Sequence, residues 1–137
     1  FMPASNQKVL TGAAALALLG ADFRWRTALL ADRGALGRDG VLRGDLRVAG
    51  RGDPTVSDRA AGDAMAPLLA LADSLRARGV RRVTGRVVAE GEAFPGDPLG
   101  YGWAADDLDA PYSAGVSELL FNEGFARVVA RGGARPG

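Results

Sequence analysis

A chain of 137 residues, 47% hydrophobic and 24% charged, has the size and composition of one modest globular domain with a real core. A formal net charge of +1, with no arginine cluster interleaved with aromatics, argues against a nucleic-acid partner. Because cysteine and histidine are both absent, disulfides, thiolate and imidazole chemistry and nitrogen or sulfur metal sites are excluded, so any general base is a lysine or a carboxylate.

The first element in the chain is also the most informative. Lys8 is the only lysine among 17 basic residues, and it stands three residues after Ser5 at the head of an apolar helix. A composition that otherwise uses arginine yet keeps one amine here suggests a position that needs a group able to lose its proton. Residues at i and i+3 lie one helical turn apart on one face, which brings the Ser5 hydroxyl within reach of the Lys8 amine as nucleophile and base. A free lysine has a pKa of about 10.4, so neutralising it at pH 7 costs roughly 4.6 kcal/mol, and a working site must bury Lys8. The spacing alone leaves a plain alternative open, with Ser5 as a helix N-cap and Lys8 as a first-turn residue.

Residues 9–21 form an apolar stretch of about 13 residues, short of the roughly 20 that span a bilayer, and are expected to form a buried core helix ended by Gly20. No transmembrane segment is expected. The chain opens on Phe1 with Met2 inside and reads as a cut edge. Alternating bulky residues in 23–31 (Phe23, Trp25, Leu29) and 41–49 (Val41, Leu46, Val48), separated by the turn-rich 32–40, predict an antiparallel hairpin. A glycine- and proline-containing loop follows at 50–57. Its Arg51-Gly52-Asp53 triplet recurs in kind at Arg43-Gly44-Asp45, as an arginine- and glycine-rich chain produces freely, and carries no adhesion reading.

Apolar residues at Met65, Leu68, Leu69, Ala72 and Leu75 predict an amphipathic helix over 64–78 with Gly79 beyond its end, packed on a sheet. Val83, Val87 and Val88 predict a strand over 80–89, so helix-then-strand recurs in α/β style. Residues 90–111 are loop-rich. The carboxylates of Asp106, Asp107 and Asp109 lack the loop spacing and closing glutamate of a cation site and read as caps and surface charge. Two apolar strands, 116–121 and 125–130, are expected around the turn Asn122-Glu123-Gly124, with a further strand to follow the end at Gly137.

These segments together resemble the penicillin-binding protein 4 type of D-alanyl-D-alanine carboxypeptidase/endopeptidase, serine peptidase family S13. Pro3-Ala4-Ser5-Asn6-Gln7-Lys8-Val9-Leu10-Thr11 before an Ala/Leu helix looks like that family's active-site helix, and Gly52-Asp53-Pro54-Thr55 is similar to its glycine-rich loop. The passage from Gly79-Val80 to Gly85-Arg86-Val87 is similar to the family's helix-to-strand passage. Gly102-Trp103, Asp106-Asp107 and the run from Tyr112 to Asn122 are similar to its return toward the catalytic domain.

The resemblance implies a mixed α/β (α+β) fold, part of a serine β-lactamase/DD-peptidase-like transpeptidase domain. Residues 1–22 and 111–137 would belong to that domain and 23–110 to a small inserted α/β domain. It implies acyl transfer through Ser5 with Lys8, no cofactor and no metal, peptidoglycan stem peptides as substrates, β-lactam antibiotics as inhibitors, and a periplasmic or other extracytoplasmic location in the cell envelope. The partner motifs Ser-x-Asn and Lys-Thr-Gly are absent from these residues: none of Ser5, Ser57, Ser74, Ser113 or Ser117 has asparagine two positions on, and Lys8 is the sole lysine. The chain is therefore expected to be an N-terminal fragment, inactive alone. A non-catalytic peptidoglycan-binding module and a serine β-lactamase are the competing classes.

Overall fold

A computed structural model of the chain describes residues 2–91, 93–124 and 128–133. A 3-10 turn over Ala4–Asn6 leads into α1 (Gln7–Leu19), and the remaining described elements are β1 (Ala28–Leu30), β2 (Val41–Leu42), β3 (Leu46–Ala49), α2 (Asp58–Ala61), α3 (Met65–Ala77), β4 (Arg82–Val83) and β5 (Val87–Glu90) with short 3-10 turns after them. No helix is long and apolar enough to cross a membrane among the described residues.

The architecture is mixed α and β, built around a parallel pair. β2 and β3 run beside β4 and β5 in parallel register, Val41 opposite Arg82 and Leu46 opposite Val87, while β1 adds antiparallel to β3 with Leu29 opposite Val48. Parallel neighbours need a crossover, and α2 with α3 supplies it. Both partners break at the same level. Gly44 has φ 118, and a Cβ on Gly85 would collide with the Gly44 backbone, so the two segments pass each other only as glycines. Across the break the Gly85 N–H still donates to the Gly44 carbonyl at 3.0 Å, and side chains add to it: the Gly44 N–H donates to Thr84 Oγ1 at 3.2 Å and the Arg86 N–H to Asp45 Oδ1 at 2.8 Å. The expected single strands 41–49 and 80–89 are thus each divided into two, and only 46–49 pairs with β1 in the antiparallel arrangement the sequence predicted. Of 23–31, residues 28–30 alone are strand.

Leu42, Leu46 and Val80 form the buried core, with Leu29, Ala35, Leu75 and Val83 packed against them. Helix α3 is oriented onto this core by its C-terminal stop. Gly79 at φ 84 lets its N–H reach the Arg76 carbonyl (2.9 Å) while the Val80 N–H reaches that of Leu75 (3.0 Å), a Schellman cap that folds Val80 back into the core. The helix predicted over 64–78 is found at Met65–Ala77.

Helix α1 departs from expectation. None of its residues is buried; Val9, Leu16 and Leu18 are 71%, 60% and 84% exposed. The sequence makes it apolar, yet the described residues bury none of it, and Gly20 at φ 84 ends the helix before the chain runs on toward β1.

The strands expected over 116–121 and 125–130 are also corrected. Residues 116–121 and 128–130 have no strand conformation, and 125–127 lie outside the described residues. The reason lies in the hydrogen bonds: the Glu118 carbonyl accepts from the Gly52 N–H (2.8 Å) and the Asn122 N–H donates to the Val56 carbonyl (2.8 Å). The segment is thereby bonded to the 50–57 loop, at isolated points where no ladder can grow. A Cβ on Gly50 would collide with the Glu118 carbonyl, so that close approach requires glycine.

Candidate active site

Ser5 and Lys8 are brought together as the spacing predicts. Ser5 lies in the 3-10 turn that starts the helix and Lys8 in the first turn of α1, and Lys8 Nζ donates to Ser5 Oγ at 2.9 Å. The turn is closed by the Asn6 N–H on the Pro3 carbonyl (3.0 Å), and the Gln7 N–H points at the carbonyls of Ala4 and Ser5. The N-cap positions of the turn and of α1 are Pro3 and Asn6, neither with a side-chain cap, and the Ser5 oxygen is engaged by the amine. This is the arrangement a nucleophile and its base require. For the amine to accept the hydroxyl proton it must first be neutral, and the bond then reverses, Ser5 Oγ–H donating to Nζ. The positive end of the α1 dipole adds stabilisation for negative charge developing near Ser5.

The burial that the sequence argument demands of Lys8 is not supplied by the described residues, since Ser5 and Lys8 are both exposed.

One feature here was invisible in the sequence. Ala4, directly before Ser5, has φ 47. Alanine in that region costs about 1–2 kcal/mol, and composition offers no signal for it.

The other segments singled out by sequence have structural partners. Asp53 Oδ1 accepts from the Thr55 N–H (2.9 Å) and hydroxyl (2.7 Å), so the Gly-Asp-Pro-Thr loop is held by its own aspartate. Ser57, the most buried polar residue among the described residues, caps α2 by accepting from the Ala60 N–H at 3.2 Å. Asn122 Oδ1 accepts from the Asp58 N–H (3.1 Å), and Arg59 faces Glu123 at 3.4 Å, which docks the Asn122–Gly124 turn on the start of α2. In the aspartate-rich loop the Tyr112 hydroxyl donates to Asp107 Oδ1 at 2.6 Å, and that bond raises the phenol's pKa above its ordinary value.

A serine hydroxyl and a lysine amine 2.9 Å apart at a helix start, set ahead of a small mixed sheet crossed by a helix, are groups on which serine acyl-transfer chemistry would rest. The model of the D-Ala-D-Ala carboxypeptidase 3 (S13) family matches residues 1–137, and the chain belongs to that family. It is 42% identical over 123 residues to a D-alanyl-D-alanine carboxypeptidase of Actinomadura sp., covering 90% of this chain and 21% of that protein. It is 33% identical over 107 residues to the D-alanyl-D-alanine carboxypeptidase DacB of Haemophilus influenzae, covering 78% of this chain and 20% of that one. Among solved structures, penicillin-binding protein 4 from Haemophilus influenzae superposes with a TM-score of 0.70 at 31% identity over 84% of this chain and 23% of that one. The same protein complexed with a β-lactam gives 0.54 at 33% identity over 66% and 19%. The chain thus spans about a fifth of the length of the curated relatives it matches.

Proposed function

We propose that the protein is a serine-type D-Ala-D-Ala carboxypeptidase/endopeptidase acting on peptidoglycan stem peptides, with Ser5 as nucleophile and Lys8 as its base. The observation that carries this reading is the 2.9 Å approach of Lys8 Nζ to Ser5 Oγ in a chain of the S13 family. In the reaction Ser5 Oγ adds to the carbonyl of the scissile amide while its proton passes to the neutral Lys8 amine. Collapse of the tetrahedral intermediate breaks the C–N bond, the departing amine of the terminal D-alanine takes that proton, and water later hydrolyses the Ser5 ester.

A β-lactam offers the same nucleophile a strained cyclic amide carbonyl, whose ring opening would leave an acyl group trapped on Ser5, in keeping with the β-lactam complex of the Haemophilus influenzae relative. The burial of Lys8 and the groups that hold the substrate carboxylate correspond, in this reading, to the part of the relatives' length that this chain does not span. In this reading residues 1–22 and 111–137 belong to the transpeptidase-like domain and 23–110 to an insertion, and the enzyme works in the periplasm or elsewhere in the cell envelope.

The test is release of D-alanine from a D-Ala-D-Ala-terminated peptide by the full-length protein. Ser5→Ala and Lys8→Arg each abolish it if the reading holds. Turnover retained by Ser5→Ala refutes it, and peptidoglycan binding without any D-alanine release favours a non-catalytic binding module.

A further inference from the structure

We propose that Ala4 is a positioning residue for the nucleophile: its positive φ sets the turn that presents Ser5 to Lys8. The inference rests on the reading of Ser5 and Lys8 given above.

Among the described non-glycine residues, positive φ occurs at Ala4, Asn122 and Glu123. The other two adjoin each other in the Asn122–Gly124 turn, which their side chains dock on α2: Asn122 bonds to Asp58 and Glu123 pairs with Arg59, and asparagine tolerates this region locally. Ala4 has a methyl group, which can make no such bond. Its conformation is imposed by the backbone on either side. Before it, the pyrrolidine ring holds Pro3 at φ −72; after it, the Gln7 N–H already bonds back to Ala4 and Ser5 at the mouth of α1.

The turn Pro3-Ala4-Ser5-Asn6 is closed by the Asn6 N–H on the Pro3 carbonyl at 3.0 Å. A hydrogen-bonded turn with positive φ at its second residue but not its third has the II′ form, in which the peptide between those residues faces opposite to its direction in an ordinary helical turn. That peptide is Ala4–Ser5. A negative φ at Ala4 would require the peptide to flip or the Asn6–Pro3 bond to open. Either change moves the backbone that carries Ser5 Oγ, now 2.9 Å from Lys8 Nζ. Strain of this kind persists only where the surroundings over-determine it, and here it falls on the residue adjoining the nucleophile.

The test uses three substitutions at Ala4 in the full-length protein, with penicillin acylation resolved into its binding constant and its chemical rate, and melting temperature read alongside. Glycine adopts positive φ freely and asparagine tolerates it, whereas valine, of similar bulk to asparagine but β-branched, does not. Ala4→Gly and Ala4→Asn are expected to acylate within about threefold of the parent, and Ala4→Gly to melt no lower, since strain is relieved. Ala4→Val is expected to slow the chemical rate by roughly a hundredfold with the binding constant little changed. A Val variant that acylates as fast as the Asn variant overturns the proposal. So does a Gly variant that melts below the parent, a result that stands even if Ala4→Val does not fold. Ser5→Ala, run beside them, separates the two levels: trapping that survives it sinks the reading of Ser5 itself, whereas trapping lost there but equal in the Val and Asn variants sinks only the role of Ala4.

Discussion

Arg47 on β3 donates through Nε to Glu90 Oε2 at the end of β5, across 2.8 Å, and through Nη1 to Asp32 Oδ1 beyond β1 at 2.9 Å. One guanidinium on the central strand thereby ties both flanking strands of the sheet, and the two carboxylates raise its pKa further. All three side chains are at least a third exposed, so the network stabilises modestly. Arg47→Met is expected to raise amide exchange over residues 46–49 by roughly fivefold in the full-length protein. Unchanged exchange would show the network to be ornamental.

The core is small enough that one side chain decides much of it. Leu42, 3% exposed, lies between β2's partner strand and the Schellman end of α3 with Leu46 and Val80. Leu42→Ala is expected to lose about 3 kcal/mol, within the range for buried leucine truncations, with exchange protection falling over both 41–49 and 82–90. Loss confined to 41–49 would mean that the two halves of the parallel pair are not one cooperative unit.

Acid should find Asp39 early in one sense and late in another. Its bond to Arg43, 2.7 Å, and the Val41 N–H lower its pKa from 3.8 to about 2. A depressed folded value means that the contribution is complete above about pH 4 and is lost as pH falls from 4 through 2. Both side chains are more than half exposed, so the effect on stability is slight, and the carboxyl chemical shift is the better readout. Arg43→Ala should bring the Asp39 midpoint up toward 3.8; a midpoint already there in the parent contradicts the geometry.

At the alkaline end, Tyr112 should titrate above the ordinary tyrosine value because its hydroxyl donates to Asp107. A raised folded pKa places this bond's contribution below about pH 10, to be lost as the phenol ionises. Asp107→Asn is expected to lower the midpoint seen by ultraviolet absorbance at phenolate wavelengths. A midpoint that does not move removes the bond.

How much of this was legible in the sequence depends on how local its cause is. The Ser5–Lys8 pair was legible because helical spacing alone brings i and i+3 together. Helix α3 was legible within one residue at each end because its stripe and Gly79 are both local signals. The antiparallel pairing of β1 with 46–49 also followed from alternation. What failed was decided at a distance. The break at Gly85 arises from the close approach of the Gly44 backbone, 41 residues earlier, so it is not visible in the local sequence alone. Val116–Phe121 has the apolar content of a strand, yet the Glu118 carbonyl is claimed by Gly52 and the N–H of the next residue after the segment, Asn122, by Val56, 66 residues earlier in sequence for each bond. Helix α1 was read as buried from its composition, a correct reading of the residue types that the described packing does not fulfil. The φ of Ala4 has no compositional trace at all.

The central claim, that Ser5 is an acylated nucleophile, is tested most directly by intact-mass measurement of the full-length protein after exposure to a penicillin, followed by peptide mapping. The account predicts a single adduct equal to the mass of the penicillin, carried by the peptide that contains Ser5 and absent from Ser5→Ala. An adduct on another residue, or none on folded protein, would contradict it.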